Sequence, residues 1–250
     1  MFRDRREAGQ QLAAALQRYA GRSGGLILAI PRGGVVVGLE VSLALRLPLD
    51  VLITRKLGAP DNPELALGAL AETGFVYLNE DLLLAYPSLT TAIEPQRVEQ
   101  EQEITRRRQL YRAGRMLPSL RGRTVILVDD GVATGATFLA SIQTLKASEV
   151  GHLIAALPVA PAETVRLIGD HVDECVVLDS PYPFYAVGQH YADFSQVTDQ
   201  QAAECGECHP DCGEGHREAE VVRDQPTAHP DARQDDDDHR GRGEEPDTEP

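Results

Sequence analysis

Short apolar runs recur through the first 198 residues and alternate with segments of helical periodicity. The runs lie at 26–30, 49–54, 75–79, 124–128, 153–157 and 175–178. Continuous apolar runs of this length are typical of strands that are buried on both faces. Because strands that alternate with helices form parallel sheets, the pattern predicts an α/β fold whose parallel sheet is covered by helices on both faces.

The first helical segment runs from Arg3 to Tyr19. Its apolar residues recur at spacings of four, four and three, and they are Ala8, Leu12, Leu16 and Tyr19. Such spacing puts one apolar stripe on the core side of a helix. The arginines of this helix are then expected to face water or a neighbour.

A second long helix is predicted over 95–111. It places Glu99, Glu103 and Arg107 four residues apart, beside a row of arginines at 106–108. The row fits two interpretations: a solvated face with ion pairs along the helix, or a hood or oligomer contact near a ligand. The solvated face is favoured, because charge pairs at this spacing are ordinary on helix surfaces.

The most informative segment begins with the apolar run 125–128, which leads into Asp129 and Asp130 and then into 131–137, a turn rich in glycine and threonine. Open α/β sheets bind ligands at the carboxyl ends of their strands, and two carboxylates there suit the hydroxyls of a ribose. The turn opens a helix, whose free N–H groups and dipole suit a phosphate. The segment therefore predicts a site for a phosphorylated sugar.

Other phosphate-binding motifs do not fit this segment. A nucleoside-triphosphate P-loop has lysine before its serine or threonine, but Ala136 precedes Thr137. The spacing of Gly131 and Gly135 does not match the glycines of a dinucleotide fingerprint. The remaining alternative is an ordinary strand, turn and helix whose acidic pair caps the helix.

Two further strand ends carry basic residues. The run 26–30 ends in Pro31-Arg32-Gly33-Gly34 before a helical pattern over 35–46, and 49–54 is followed by Arg55 and Lys56. Glycines let backbone N–H groups approach an anion, and arginine offers several donors to phosphate oxygens. Segment 55–64, with its glycine and two prolines, is predicted to be a loop at the ligand. The alternative for 31–34 is a tight turn with a surface arginine.

The acidic segment and these two strand ends resemble the type I phosphoribosyltransferases, which bind 5-phosphoribosyl 1-pyrophosphate (PRPP). Within that family, 2–9, 31–35, 55–58, 125–137 and 184–194 look like a group of predicted bacterial phosphoribosyltransferases. The resemblance covers about residues 1–198. It implies the Rossmann-like parallel sheet of the type I phosphoribosyltransferase fold.

The resemblance also implies a reaction: transfer of 5-phosphoribosyl from PRPP to a nitrogenous base-like acceptor, with release of pyrophosphate. Asp129 and Asp130 would hold the ribose hydroxyls, directly or through Mg²⁺. The 5-phosphate would bind Ala133, Thr134, Gly135, Ala136 and Thr137. The pyrophosphate would bind Arg32, Gly33, Gly34 and Arg55, and Lys56 would neutralise it as the bond breaks.

Several further expectations follow from the family. The acceptor pocket would be lined by 158–161 and by Tyr182, Phe184 and Tyr185, although these residues equally suit ordinary packing on the sheet. A homodimer is expected, because dimers are common among its members. The alternative function is a regulatory protein that binds PRPP or a nucleotide and catalyses nothing, because fold and motif do not separate the two.

The composition changes near Asp199. Residues 199–250 contain 17 acidic and 5 basic residues and no aromatic residue, and they account for −12 of the net charge of −15. Such a segment buries too little apolar surface to fold. We therefore predict a phosphoribosyltransferase domain over 1–198 and a disordered acidic tail over 199–250.

Three of the four cysteines lie close together in that tail. Cys205, Cys208, Cys212 and the nearby His216 match the ligand types of zinc, but their spacing is tight. The Cys-x-x-Cys-His pattern also matches covalent haem attachment, which requires export. Adventitious metal binding is the favoured interpretation, with a metal-binding or scaffolding tail as the functional alternative.

Charge and hydropathy bear on partners and location. The chain shows neither a signal peptide nor an apolar run near ~18 residues, so a cytoplasmic protein without a membrane partner is expected. A sequence pI of 4.8 and the lack of a basic patch argue against general nucleic-acid binding.

Overall fold

The computed structural model of the protein describes residues 1–207. Its helices are α1 (Arg5–Ala15), α2 (Gly33–Leu45), α3 (Glu80–Ala85), α4 (Ile93–Arg112), α5 (Ala136–Ala147), α6 (Ala162–Gly169) and α7 (Asp199–Glu207). Its strands are β1 (Gly25–Ala29), β2 (Leu49–Val51), β3 (Thr54–Ala59), β4 (Asn62–Ala71), β5 (Val76–Leu78), β6 (Thr124–Val128), β7 (His152–Val159) and β8 (Glu174–Asp179). Short 3₁₀ helices lie at Gln17–Tyr19, Pro87–Ala92 and Val187–His190.

Five strands form the parallel sheet that the apolar runs predict. Their order is β2-β1-β6-β7-β8, and every neighbouring pair is parallel. Ala29 at the end of β1 lies beside Val51 of β2 and Val128 of β6. The carboxyl ends of these three strands therefore meet at one edge, where the chain turns toward its candidate site.

Helices cover both faces of this sheet, as predicted. Alternate residues of β6 point to opposite faces: Ile126 and Val128 pack in one core with α1 and α2, and Val125 and Leu127 pack in another with α5 and α6. All four are fully buried. Burial on both sides explains why β6 reads as a continuous apolar run.

The predicted apolar stripe of α1 is confirmed. Ala8, Leu12, Leu16 and Tyr19 are all buried. The helix begins after Asp4, whose side chain accepts a hydrogen bond from the backbone N–H of Glu7 at 2.8 Å. That cap satisfies one of the N–H groups that a helix start leaves without a partner.

The predicted loop over 55–64 is wrong, because most of this segment belongs to an antiparallel hairpin. β3 and β4 pair from Thr54↔Ala71 to Ala59↔Asn62, and Pro60 and Asp61 lie in the turn between them. The register shifts at Gly58, so the glycine that suggested a loop lies at an irregularity, while Pro60 lies in the turn and Pro63 near the start of β4. The apolar run at 75–79 supplies β5, which joins this second sheet rather than the parallel one.

The first residues of the predicted tail, Asp199–Glu207, form helix α7 in the structure. Ala202 is fully buried in the core with residues of α2 and α4. Thr198 and Gln201 cap the helix start reciprocally, each side chain accepting the other's backbone N–H at 3.1 and 2.9 Å. The prediction of a disordered tail rested on net charge. The reciprocal cap and the burial of Ala202 instead stabilise a helix in this short segment. The rest of the predicted tail, 208–250, lies outside the described residues.

None of the helices in residues 1–207 combines the length and the apolar character that crossing a membrane requires.

Candidate functional site

The predicted acidic pair lies where β6 ends. Asp129 and Asp130 follow the buried strand directly, and the backbone N–H of Asp130 donates to Asp129 Oδ1 at 2.8 Å. The other carboxylate bonds across the fold, because Arg5 Nε donates to Asp130 Oδ2 at 2.7 Å. The pair is therefore held in place by its own backbone and by the first turn of α1.

Burial governs the electrostatics of this pair. It raises the pKa of Asp129 well above its ordinary value, and the neighbouring charge of Asp130 raises it further. Burial also raises the pKa of Asp130, while the bond from Arg5 opposes that rise. Two carboxylates that are costly to ionise together form a site that a cation or a set of hydroxyl donors would stabilise.

The predicted glycine cradle packs directly against the acidic pair. A Cβ at Gly33 would overlap the Asp130 carboxylate, and a Cβ at Gly34 would lie 2.8 Å from Asp129 Cα and 2.9 Å from its Oδ1. The Pro31–Arg32 peptide bond that precedes these glycines is cis. Only glycine fits this close approach of two backbones, so segments 31–34 and 129–130 form one site.

The turn after the acidic pair leads into α5. Gly135 caps that helix with φ 83°, a left-handed conformation that favours glycine. Ala133, Thr134 and Thr137 are exposed, and Ala136 is half-buried. The Ala133 carbonyl accepts a hydrogen bond from Thr164 Oγ1 at 2.7 Å, which ties the turn to α6. The open start of α5 thus presents N–H groups and hydroxyls beside the carboxylates.

One cleft joins these segments. It has a volume of about 650 Å³, and Gly33, Thr137 and Phe194 lie on its wall. Its charged lining consists of four arginines and two carboxylates: Arg5, Arg32, Arg55, Arg107, Asp130 and Asp199. A surplus of guanidinium groups in a confined cleft favours an anionic ligand.

Arg55 of β3 and Arg107 of α4 bring two positive charges together in this cleft. Burial lowers the pKa of Arg55, and the charge of Arg107 lowers it further. Each side chain is fixed through Nε, Arg55 to Gln100 and Arg107 to Glu103, both at 2.7 Å. Arg107 belongs to the arginine row for which the solvated face was favoured, and its position in the cleft supports the hood alternative.

Lys56 does not line the cleft. It follows Arg55 along β3, and neighbouring residues of a strand point to opposite faces. Of the two basic residues predicted after the second strand, the structure therefore brings Arg55 alone to the site.

Arg5 is a site residue that the sequence interpretation missed, because the arginines of α1 were expected to face water or a neighbour. Its side chain is 11% exposed and its guanidinium carbon lies 3.8 Å from the centre of the Phe194 ring. The available signal was indirect: both residues fall within segments 2–9 and 184–194 that carry the family resemblance.

Asp199 is another missed residue of the cleft wall. Tyr111 Oη donates to Asp199 Oδ1 at 2.8 Å, and Arg106 Nη2 donates to Oδ2 at 3.3 Å. Burial alone would raise the pKa of Asp199, but these bonds outweigh it and lower the pKa. Burial raises the pKa of Tyr111 to about 12, and the bond to Asp199 adds to that rise.

The residues predicted to line an acceptor pocket lie away from this cleft. Tyr182 and Tyr185 are 98% and 74% exposed. Phe184 stacks on His190 with ring centres 4.9 Å apart, and Val159 within 158–161 is buried in the same small core. Phe184 and Val159 fit the packing alternative, whereas Tyr182 and Tyr185 are exposed and do not line the cleft.

The predicted metal-binding group in the tail falls mostly outside the described residues. Cys208, Cys212 and His216 lie there, while Cys205 is in α7 and packs against the main core. Within residues 1–207, no cluster of three or more histidine, cysteine, aspartate or glutamate side chains is arranged to hold a metal ion.

A family model described as "Phosphoribosyl transferase domain" matches residues 4–190. That match covers most of the described chain and contains the acidic pair, the glycine cradle and the start of α5. The chain therefore belongs to the phosphoribosyl transferase family, as the sequence resemblance indicated.

Particular relatives agree with this assignment. Two strain versions from Mycobacterium tuberculosis, named "Putative phosphoribosyl transferase MT0597" and "Putative phosphoribosyl transferase Rv0571c", are each 41% identical over 201 residues. The match covers 80% of this chain and 45% of each relative, so the chain spans less than half the length of these two proteins. The crystal structure of TT1426 from Thermus thermophilus has 40% identity and a TM-score of 0.74, and the match covers 82% of this chain and 97% of that one.

Proposed function

We propose that this domain transfers the 5-phosphoribosyl group of PRPP to a nitrogen of a base-like acceptor and releases pyrophosphate. The observation that carries the proposal is the meeting of three segments at one cleft, which the acidic pair reaches through Asp130, the glycine cradle through Gly33 and the start of α5 through Thr137. Together they offer acceptors for hydroxyls and donors for a phosphate and a pyrophosphate, which matches the chemistry of PRPP.

The ribose and its phosphate would bind at the carboxyl end of β6. Asp129 and Asp130 accept hydrogen bonds from the 2- and 3-hydroxyls. The exposed hydroxyls of Thr134 and Thr137, with the N–H groups from Ala133 to Thr137, hold the 5-phosphate. The positive end of the α5 dipole adds to this attraction.

The pyrophosphate would lie on the opposite side of the acidic pair. Gly33 and Gly34 let the backbone approach it, and Arg32, Arg55 and Arg107 supply charge from three different elements. The repulsion between Arg55 and Arg107 is relieved when a polyanion binds between them. These groups stabilise the leaving group as negative charge develops on it.

Mg²⁺ fits the donor set of this site. Asp129 and Asp130 offer carboxylate oxygens, which are the ligands that this cation prefers, and burial raises the pKa of both groups. They would hold the ion directly or through water. When bound with PRPP, Mg²⁺ would supply positive charge that offsets the charge of the phosphates.

The reaction would need few catalytic side chains. The bond from the anomeric carbon to the pyrophosphate oxygen breaks as a bond to the acceptor nitrogen forms, and the sugar develops oxocarbenium character. Catalysis then comes from holding the sugar in place and from stabilising the departing pyrophosphate. A covalent nucleophile is not required.

Calorimetric titration with PRPP and Mg²⁺ tests the binding half of the proposal. We expect saturable binding that Asp129→Asn with Asp130→Asn abolishes, and that Asp170→Asn on the exposed end of α6 leaves intact. Failure of the unaltered protein to bind PRPP would overturn the proposal.

The chemical half is tested by pyrophosphate release during a screen of purine, pyrimidine and pyridine bases with PRPP. Release that depends on one base and on Asp129 and Asp130 establishes the transferase and its acceptor. PRPP binding without release in any base mixture would favour the regulatory alternative.

A further inference from the structure

The start of the chain and the segment after β8 join beside the acidic pair. The Phe2 N–H donates to the His190 carbonyl, the Ala192 N–H donates to the Phe2 carbonyl, and the Asp193 N–H donates to the Arg3 carbonyl, each at 2.8 Å. These bonds bring two segments from opposite ends of the domain into one short parallel contact. We call residues 2–5 with 190–195 the clasp.

The clasp contacts Asp130 at two points. Arg5 Nε donates to its carboxylate at 2.7 Å, and the Tyr191 hydroxyl donates to its main-chain carbonyl. Arg5 Nη1 also donates to the Ser195 carbonyl at 2.8 Å, and Phe194 covers the flat face of the guanidinium. Arg5 is thus fixed on three sides while it holds Asp130.

This arrangement leaves Asp130 able to bind a ligand. A carboxylate has about four lone-pair positions, and Arg5 occupies one of them on Oδ2. The Arg5 and Asp130 side chains are 11% and 14% exposed, and both lie on the cleft wall. A buried ion pair is weak evidence for stability, because desolvation offsets much of its attraction. Its location at the site instead suggests a role in binding.

We propose that Arg5 is a positioning residue that orients the Asp130 carboxylate toward the ribose hydroxyls of PRPP. The inference rests on the proposed function. This role differs from that of Arg32, Arg55 and Arg107, which would bind phosphate oxygens. The guanidinium of Arg5 already donates to Asp130 and Ser195 and lies against the Phe194 ring. The clasp therefore contributes to sugar recognition rather than to attraction of the anion.

Two ligands distinguish these roles: PRPP, which contains the ribose, and inorganic pyrophosphate, which lacks it. Titrations of the full chain with each ligand and Mg²⁺ compare the unaltered protein with Arg5→Gln and Arg5→Lys. We expect Arg5→Gln to weaken PRPP binding by about tenfold to a hundredfold, as the loss of a charged hydrogen bond does, and to leave pyrophosphate affinity within about twofold. Arg5→Lys keeps the charge but loses the fork of donors, so it should recover part of the PRPP affinity.

Arg6→Gln is the matched control, because Arg6 is the exposed neighbour of Arg5 on α1. It should change neither affinity. Equal losses of PRPP and pyrophosphate affinity in Arg5→Gln would overturn the positioning role, and so would unchanged PRPP affinity. If the unaltered protein bound pyrophosphate but not PRPP, the proposed function itself would fail.

Discussion

Ionising Asp129 costs free energy in the folded chain, and this cost makes the stability of the fold depend on pH. Because burial raises its pKa, the stability that the folded form gains from the protonated carboxyl is present at low pH and is lost as pH rises through the folded pKa. At neutral pH without ligand, the buried Asp129 carboxyl therefore opposes folding. This is the pattern of a site that gives up stability for binding.

We expect Asp129→Asn to raise the melting temperature at pH 7 in the absence of PRPP and Mg²⁺. The amide oxygen can still accept the bond from the Asp130 N–H, while the cost of burying an ionisable carboxyl beside Asp130 disappears. The gain is about 2 to 4 °C for each kcal/mol of relieved cost. Thermal denaturation beside Asp170→Asn checks it, and a lower melting temperature in Asp129→Asn would contradict it.

The close packing around Gly34 predicts how an added side chain there would change stability. A Cβ at this position would lie 2.8 Å from Asp129 Cα and 3.0 Å from the Val128 carbonyl, both of which are backbone atoms. Gly34→Ala should therefore reduce the free energy of unfolding by about 1–3 kcal/mol and weaken PRPP binding.

Gly169→Ala is the control for that substitution, because no atom lies within 4 Å of the added Cβ. It should be neutral or stabilising by up to about 1 kcal/mol. Urea denaturation measures both variants. Equal stability of the two alanine variants would show that the cradle is not closely packed.

At the scale of single elements, α4 has two roles, one at the cleft and one in packing against α7. Arg107 lines the cleft, whereas Arg106 bonds to Glu103 at 2.8 Å and to Asp199 of α7. Buried Tyr111 also bonds Asp199, so α4 and α7 are joined beside the cleft. The arginine row thus supports packing and supplies one side chain, Arg107, to the cleft wall.

Arg107→Gln should weaken the binding of both PRPP and pyrophosphate by about tenfold, since it removes one charged partner from the anion side of the cleft. Arg108→Gln is the control, because Arg108 does not line the cleft and instead contacts Met116. Calorimetric titration of each variant measures the change. Loss of PRPP affinity with unchanged pyrophosphate affinity would assign Arg107 to another part of the ligand.

Glu103 gives α4 a measurable pH dependence. Hydrogen bonds from Arg106 and Arg107 lower its pKa to about 2 from 4.5. Because the folded pKa is lowered, the stabilisation is present above about pH 4.5 and is lost as pH falls toward about 2. Glu103→Gln should therefore flatten the fall in unfolding free energy over this range. An unchanged slope in urea denaturation across this range would refute the ion-pair account.

At the scale of the whole molecule, α7 extends the folded part beyond the predicted boundary at 198. Ala202 is fully buried, and Asp199 bonds two side chains of α4. A chain that ends at 198 loses these contacts, and one that ends at 207 keeps them. The expected homodimer stays a prediction.

Truncated chains that end at 207 and at 198 test the contribution of α7. We expect a chain of residues 1–207 to keep the PRPP affinity and melting temperature of the full chain, because every residue of the cleft lies within it. A chain of residues 1–198 should melt at least several degrees lower, since it lacks the buried Ala202 of α7 and the bonds between Asp199 and α4. Equal melting of the two truncated chains would refute the contribution of α7.

Local pattern was sufficient for the parallel sheet and for the position of the acidic pair at a strand end. β1, β6 and β7 are buried on both faces, so their apolar runs are visible without knowledge of their neighbours. The run 125–128 is followed directly by Asp129 and Asp130, which places the pair at a strand end. The same reasoning failed for 55–64, where glycine and prolines suggested a loop, and for 199–207, where net charge concealed a capped helix.

The sequence by itself determined the α/β class, the acidic pair, the glycine cradle and the resemblance to phosphoribosyltransferases. These features depend on contiguous residues, whose periodicity, charge and backbone freedom can be read locally. Only the tertiary structure placed Arg5 on Asp130, Arg107 beside Arg55 and Asp199 on the cleft wall. Those contacts join elements distant in the chain, and their partners depend on strand order and helix packing rather than on neighbouring residues.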